Sequence, residues 1–172
     1  QIAEGKGSTD NQKFCIGILS NEAQYHRHYV AACIEMKLPF KVIDIYSSDW
    51  LELVKSSHCD VFMNWPDAFF TIWNRMMKDR LRTIEYDLNL PVFPAWHETW
   101  AYEDKPRMAY WLKANDIPHP ETWIFFNKKE ALDFARSCSL PVVSKTNFGA
   151  SGNGVKIIRD RKRWPRVHPY ST

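Results

Sequence analysis

The stretch Leu140-Pro-Val-Val-Ser-Lys-Thr-Asn-Phe-Gly-Ala-Ser-Gly-Asn-Gly-Val-Lys-Ile-Ile158 constrains this chain more than any other. Three of the six glycines, Gly149, Gly152 and Gly154, fall within six residues, with an apolar, β-branched run on each side. Glycine tolerates positive φ and lets backbone N–H groups approach a ligand closely, so such a cluster suits a phosphate cradle. Two other glycine signatures fail on their mechanics. A P-loop needs Gly-Lys-Ser/Thr opening a helix, and a dinucleotide fingerprint needs a helix whose N-terminal dipole faces a pyrophosphate. Here Gly154 is followed by Val155-Lys-Ile-Ile158, a segment of strand propensity. The expectation is therefore strand, loop, strand, with Gly149, Ala150, Ser151, Gly152, Asn153 and Gly154 forming a flap over a nucleotide. Taken alone, the cluster also suits an ordinary glycine-rich hairpin turn.

Two lysines stand out by position. Lys145 alternates with Val143 at the end of the first run and points toward the glycine loop, where an ammonium can meet a polyphosphate as a point charge. Lys105 sits at an expected helix start, where a cation is mildly unfavourable against the helix dipole. Ser151 can donate its hydroxyl to a phosphate oxygen or serve the turn itself. An exposed strand-end lysine remains the alternative for Lys145. The six histidines show no metal-ligand spacing and suit structural or surface roles, so no metal ligand is assigned.

Upstream, short apolar runs alternate with helical periodicity. Phe14–Leu19, Phe40–Tyr46, Cys59–Met63 and Pro91–Pro94 read as strands. Between them, Glu22–Met36, Trp50–Val54 and Phe69–Leu88 read as helices, and the first twelve residues as a loose leader. Such alternation implies parallel pairing, so residues 13–95 are expected to form a small α/β domain. The strand runs show little polar alternation, as in a sheet covered on both faces. A second unit, 97–158, is expected to run helix (Glu103–Asn115), strand (Thr122–Phe125), helix (from Asn127 through Ala135), then the glycine hairpin. Met108, Trp111 and Leu112 are its expected buried stripe.

Residues 159–172 form a basic tail that carries more than the chain's whole formal charge of +3, leaving the rest near neutral. No broad nucleic-acid-binding face is expected, and the tail reads as a solvated chain end. No run approaches the ~18 apolar residues of a membrane span. The four cysteines are widely separated, as suits reduced thiols in a cytoplasmic protein. An aromatic share of 15% favours a packed chain over a disordered one.

Four segments in order resemble the ATP-grasp superfamily of carboxylate–amine ligases: Glu103-Asp-Lys105; Leu112-Lys-Ala-Asn-Asp-Ile-Pro-His-Pro-Glu-Thr122; Leu140-Pro-Val-Val-Ser-Lys145; and Gly149-Ala-Ser-Gly-Asn-Gly-Val155. The resemblance implies a Rossmann-like pre-ATP-grasp α/β domain followed by the first α+β subdomain of the fold, truncated. It implies an ATP-dependent ligase that activates a small-molecule or peptide carboxylate as an acylphosphate for attack by an amine. Lys105 and Lys145 would contact ATP phosphates, and residues 149–154 would close over them. Mg²⁺ ligands and the adenine hinge are expected in a part of the family's chain beyond Ile158, so this chain is expected to be an incomplete ligase. The alternative is a catalytically inactive nucleotide-binding or regulatory module, completed by a partner chain or paired as a homodimer. At Asp116 the sequence departs from the family, which usually has glycine there.

Overall fold

A computed structural model describes residues 3–5, 14–66, 71–147, 152 and 154–166. The chain divides into two units, 1–102 and 103–172.

The first unit is built on a five-stranded sheet. The strands are β1 (Ala3–Gly5), β2 (Ile16–Leu19), β3 (Phe40–Ile43), β4 (Val61–Met63) and β5 (Val92–Phe93), in the spatial order β1-β3-β2-β4-β5. β2, β3, β4 and β5 pair in parallel, and β1 adds to the edge of β3 antiparallel. The helices are α1 (His26–Glu35), α2 (Trp50–Ser57), α3 (Thr71–Arg82) and the short α4 (Trp96–Thr99). Alternate strand residues enter two separate cores. Leu19, Ile43 and Phe62 pack with Val54 of α2 and with Met77 and Leu81 of α3. Ile16, Ile18 and Phe40 pack with Cys33, Tyr29 and Val30 of α1. Side chains on adjacent strand positions point to opposite faces, so apolar runs without alternation need helices on both sides. They have them.

Several local expectations are corrected. The leader contains a strand, β1, whose Ala-Glu-Gly sequence has no strand propensity and which exists through its pairing with β3. The long helix widens after Arg82 into one π turn, Thr83–Asp87, before reaching Leu88. Met36 lies beyond the end of α1 and is exposed.

The second unit contains α5 (Lys105–Ala114), α6 (Lys128–Ser137), and the antiparallel pair β6 (Val142–Lys145) and β7 (Val155–Ile158). Thr122–Phe125 is not a strand. Its β-prone residues lean on a helix instead: Trp123 and Phe125 both meet the ring of Phe134 of α6 in tilted contacts, at 4.7 and 5.1 Å between centroids, with Trp123 still exposed. The expected stripe on α5 is not buried either, with Met108 at 46% and Trp111 at 50% exposure, while Ala109 is enclosed. The basic tail is only partly solvated. Residues 161–166 form a 3₁₀ turn in which Arg161 donates to the carbonyls of Ala135 (2.8 Å) and Cys138 (2.6 Å). A cation there satisfies carbonyls that the end of α6 leaves open. Trp164 also packs near Phe134.

Asp116 explains the departure from glycine. It adopts φ 52°, its N–H donates to the Lys113 carbonyl, and the next N–H, from Ile117, reaches back to Leu112 at 3.0 Å. This is a Schellman closure of α5, which needs a left-handed residue after the cap. Aspartate tolerates that conformation better than most residues with a Cβ.

Candidate functional site

The site is assembled at one end of the β6–β7 ribbon. Register pairs Val142 with Ile158, Val143 with Ile157, Ser144 with Lys156, and Lys145 with Val155. Alternation then puts Val143, Lys145, Val155 and Ile157 on one face. All four are exposed on that face, Val143 at 54% and Ile157 at 50%, while Ile158 on the opposite face is buried. Lys145 thus stands at the loop end of an apolar strip.

Beyond Lys145 the ladder continues for one more step. Thr146 N–H donates to the Gly154 carbonyl at 3.0 Å, and Val155 N–H donates to the Gly152 carbonyl at 3.1 Å. Gly154 has φ 73° and lies hard against Thr146: a Cβ there would overlap the threonine hydroxyl. Gly152 has φ 81°, but open space surrounds its Cα. The two glycines therefore serve differently. Gly154 lets two backbones approach, and Gly152 supplies only the turn conformation.

The helix start is tied to the same loop. Asp104 caps α5, its buried carboxylate accepting from Arg107 N–H at 3.0 Å and pairing with the Arg107 guanidinium at 3.2 Å. Pro106 occupies the first turn, as expected, where its missing N–H costs nothing. Lys105, the first helical residue, donates its backbone N–H to the Asn147 carbonyl at 3.0 Å. Asn147 is two residues past Lys145 and opens the glycine loop. One backbone hydrogen bond thus brings the two lysine-bearing segments, forty positions apart in sequence, to one loop mouth.

Of the expected site residues, Lys105, Lys145, Gly152 and Gly154 are brought together in this way. Gly149, Ala150, Ser151 and Asn153 lie outside the described residues. Sequence reasoning missed the contributions of Thr146, Asn147 and the apolar strip. The strip was legible in the alternation of Val143 with Lys145 and of Val155 with Ile157; the Lys105–Asn147 bond left no local signal. Among the described residues no group of three or more histidines, cysteines or carboxylates is placed to hold a metal ion. No described helix is long and apolar enough to cross a membrane.

No family model matches the chain, and no curated protein matches it. Among solved structures, it aligns with N5-carboxyaminoimidazole ribonucleotide synthetase from Thermotoga maritima at a TM-score of 0.61 and 22% identity. The alignment covers 90% of this chain and 43% of that one. The fold is part of an ATP-grasp fold. The chain spans less than half the length of that synthetase, and at such identity the likeness concerns the fold alone.

Proposed function

We propose that this chain is the ATP-binding portion of an ATP-dependent ligase, which activates a carboxylate as an acylphosphate for attack by an amine. The observation carrying this reading is the hydrogen bond from Lys105 N–H to the Asn147 carbonyl, which joins a helix start, a strand-end lysine and a glycine turn at one mouth. In the proposed reaction a substrate carboxylate oxygen attacks the γ-phosphorus of ATP and ADP departs. An amine then attacks the acyl carbon, and inorganic phosphate leaves.

The chain's own contribution is to bind and neutralise. The Lys145 ammonium would neutralise triphosphate oxygens, Lys105 would contribute from the helix start, and loop N–H groups from 149–154 would complete the cradle. The exposed strip of Val143, Val155 and Ile157 beside Lys145 would exclude water from it once covered by a bound nucleotide, which would strengthen its electrostatic effect. Phosphoryl transfer asks mainly for such positioning and charge neutralisation. Mg²⁺ would supply further charge neutralisation at the phosphates, and this reading assigns its ligands outside the described residues. The division of labour follows the expected domains: 13–95 as the pre-ATP-grasp domain, 97–158 as the nucleotide-binding subdomain. Four free cysteines suit a reducing cytoplasmic setting.

Titration of the purified chain with a fluorescent ATP analogue tests the assignment. Lys145→Ala is expected to weaken binding about tenfold or more, the scale of one lost charge-assisted hydrogen bond. Affinity unchanged by that substitution removes Lys145 from the site.

A further inference from the structure

Two thiols far apart in sequence meet at the amino ends of neighbouring strands. Cys15 precedes β2, Cys59 precedes β4, and their Sγ atoms lie 3.4 Å apart. Parallel pairing of β2 with β4 causes the encounter. Asp60 N–H donates to the Cys15 carbonyl at 2.9 Å, and Cys15 N–H donates to the Asp60 carboxylate at 2.6 Å, so the two chain segments are tied together beside the sulfurs. Cys59 is further fixed by its N–H bond to the Ser57 hydroxyl at 3.2 Å. Both side chains lie on the sheet face lined by Leu19, Ile43 and Phe62. Cys33 belongs to the opposite core and Cys138 to the second unit.

We propose that Cys15 and Cys59 form a redox-sensitive dithiol, which closes to a disulfide by exchange with low-molecular-weight disulfides such as oxidised glutathione. The register puts Cys15 opposite Asp60 and Cys59 one residue diagonally from it, so a strand spacing of about 4.8 Å and a rise of about 3.3 Å per residue give a Cα separation of roughly 6 Å, within what a disulfide spans. The sulfurs must approach by roughly a further 1.3 Å to reach bonding distance, a movement within side-chain rotation. The more exposed Cys15 gives up its proton to solvent, and its thiolate attacks one sulfur of the oxidised glutathione. One glutathione thiolate leaves, and a mixed disulfide forms on Cys15. Cys59, deprotonated in turn, attacks the Cys15 sulfur and expels the second glutathione thiolate. The protein dithiol loses two electrons and two protons, and the glutathione disulfide becomes two thiols. Burial, with the adjoining Cys59, pushes the Cys15 thiol up to about 12. Thiolate is therefore scarce at neutral pH, and exchange should quicken about tenfold per pH unit between pH 7 and 9.

The test incubates the full chain with oxidised glutathione at pH 8.5, traps remaining thiols with an alkylating agent, and maps peptides without reduction. The expected product is a single cross-link between the Cys15 and Cys59 peptides, reversed by dithiothreitol, with Cys33 and Cys138 alkylated. Because the bridge joins residues 44 positions apart, the oxidised chain should melt about 5 °C or more above the reduced one. The Cys59→Ser variant should stop at glutathionylated Cys15. Recovery of Cys15 and Cys59 as alkylated or as separate mixed disulfides, while the chain remains folded, would overturn the proposal. So would a cross-link involving Cys33 or Cys138 in their place.

Discussion

In the first unit, Phe62 and Ile18 lie on opposite faces of one sheet and both are wholly enclosed. In the second, Val143 and Ile157 face each other across a two-stranded ribbon and stand half in solvent. A sheet flanked by helices on both sides satisfies its apolar runs internally. A two-stranded ribbon has only one face covered, and such ribbons draw little stability from themselves. The exposed face is also the one bearing Lys145. One unit is closed by packing and the other leaves apolar and charged groups exposed, which is where the proposed function puts recognition.

The sharpest way to break this contrast is a pair of truncations. Phe62→Ala should cost about 3–5 kcal/mol, since it opens a cavity in a sealed core. Ile157→Ala, on the open face, should cost under about 1 kcal/mol. Urea unfolding of both variants measures the difference, and equal losses would mean the ribbon face is covered in solution. Within the ribbon, Gly154→Ala should destabilise the hairpin by more than the roughly 1 kcal/mol expected for Gly152→Ala. Both substitutions meet positive φ, but only the first also collides with Thr146. Hydrogen exchange at the Thr146 and Val155 amides reads this directly, and equal protection in the two variants would refute it.

The closed unit should also be the pH-sensitive one. Burial, and secondarily the charge of Arg27, holds His26 below its ordinary 6.5. Its Nδ1 accepts from Asn21 N–H at 3.1 Å, a bond available only while that nitrogen is unprotonated. A second contact, Nδ1 with the Asn21 side-chain oxygen at 3.2 Å, would require the other tautomer; the backbone amide is an obligate donor, so the first arrangement governs. With a lowered folded value, the unfolded chain takes up the proton first. Stability is therefore complete above pH 6.5 and declines as pH falls through and below it. Thermal melts from pH 7.5 to 5 should show the decline, and His26→Gln should flatten it; an identical profile in the variant would exclude His26 as its source. The smallest effect belongs to the second unit: Asp116→Gly should stabilise by up to about 1 kcal/mol by relieving the left-handed backbone. A lower melting temperature in that variant would mean that the carboxylate contributes more than the φ constraint removes.

Much of the fold was legible because its signals are local. The runs Phe14–Leu19, Phe40–Tyr46 and Cys59–Met63 contain the strands β2, β3 and β4, the second ending three residues early at Ile43, and Asn127 caps α6 by accepting from Lys129 and Glu130 N–H groups. Thr122–Phe125 misled because β-propensity measures fit to a half-buried surface, and the face of α6 with Phe134 supplied one without a sheet. Met108 and Trp111 misled because helical spacing identifies an apolar stripe without identifying anything that covers it. In the candidate site, the lysines and glycines could be singled out in advance, whereas the partners Thr146 and Asn147 could not.

Residue order alone determined the alternation of strands and helices in the first unit, the breakpoints at Pro106 and Asn127, and the glycine hairpin. These follow from periodicity, fixed φ and side-chain capping, which act over a few residues. Only the tertiary structure decided that Ala3–Gly5 pairs with β3, that Lys105 joins the mouth of the loop after Lys145, and that Cys15 touches Cys59. Each depends on hydrogen bonds or packing between segments about forty residues apart, and no local preference encodes a partner at that distance.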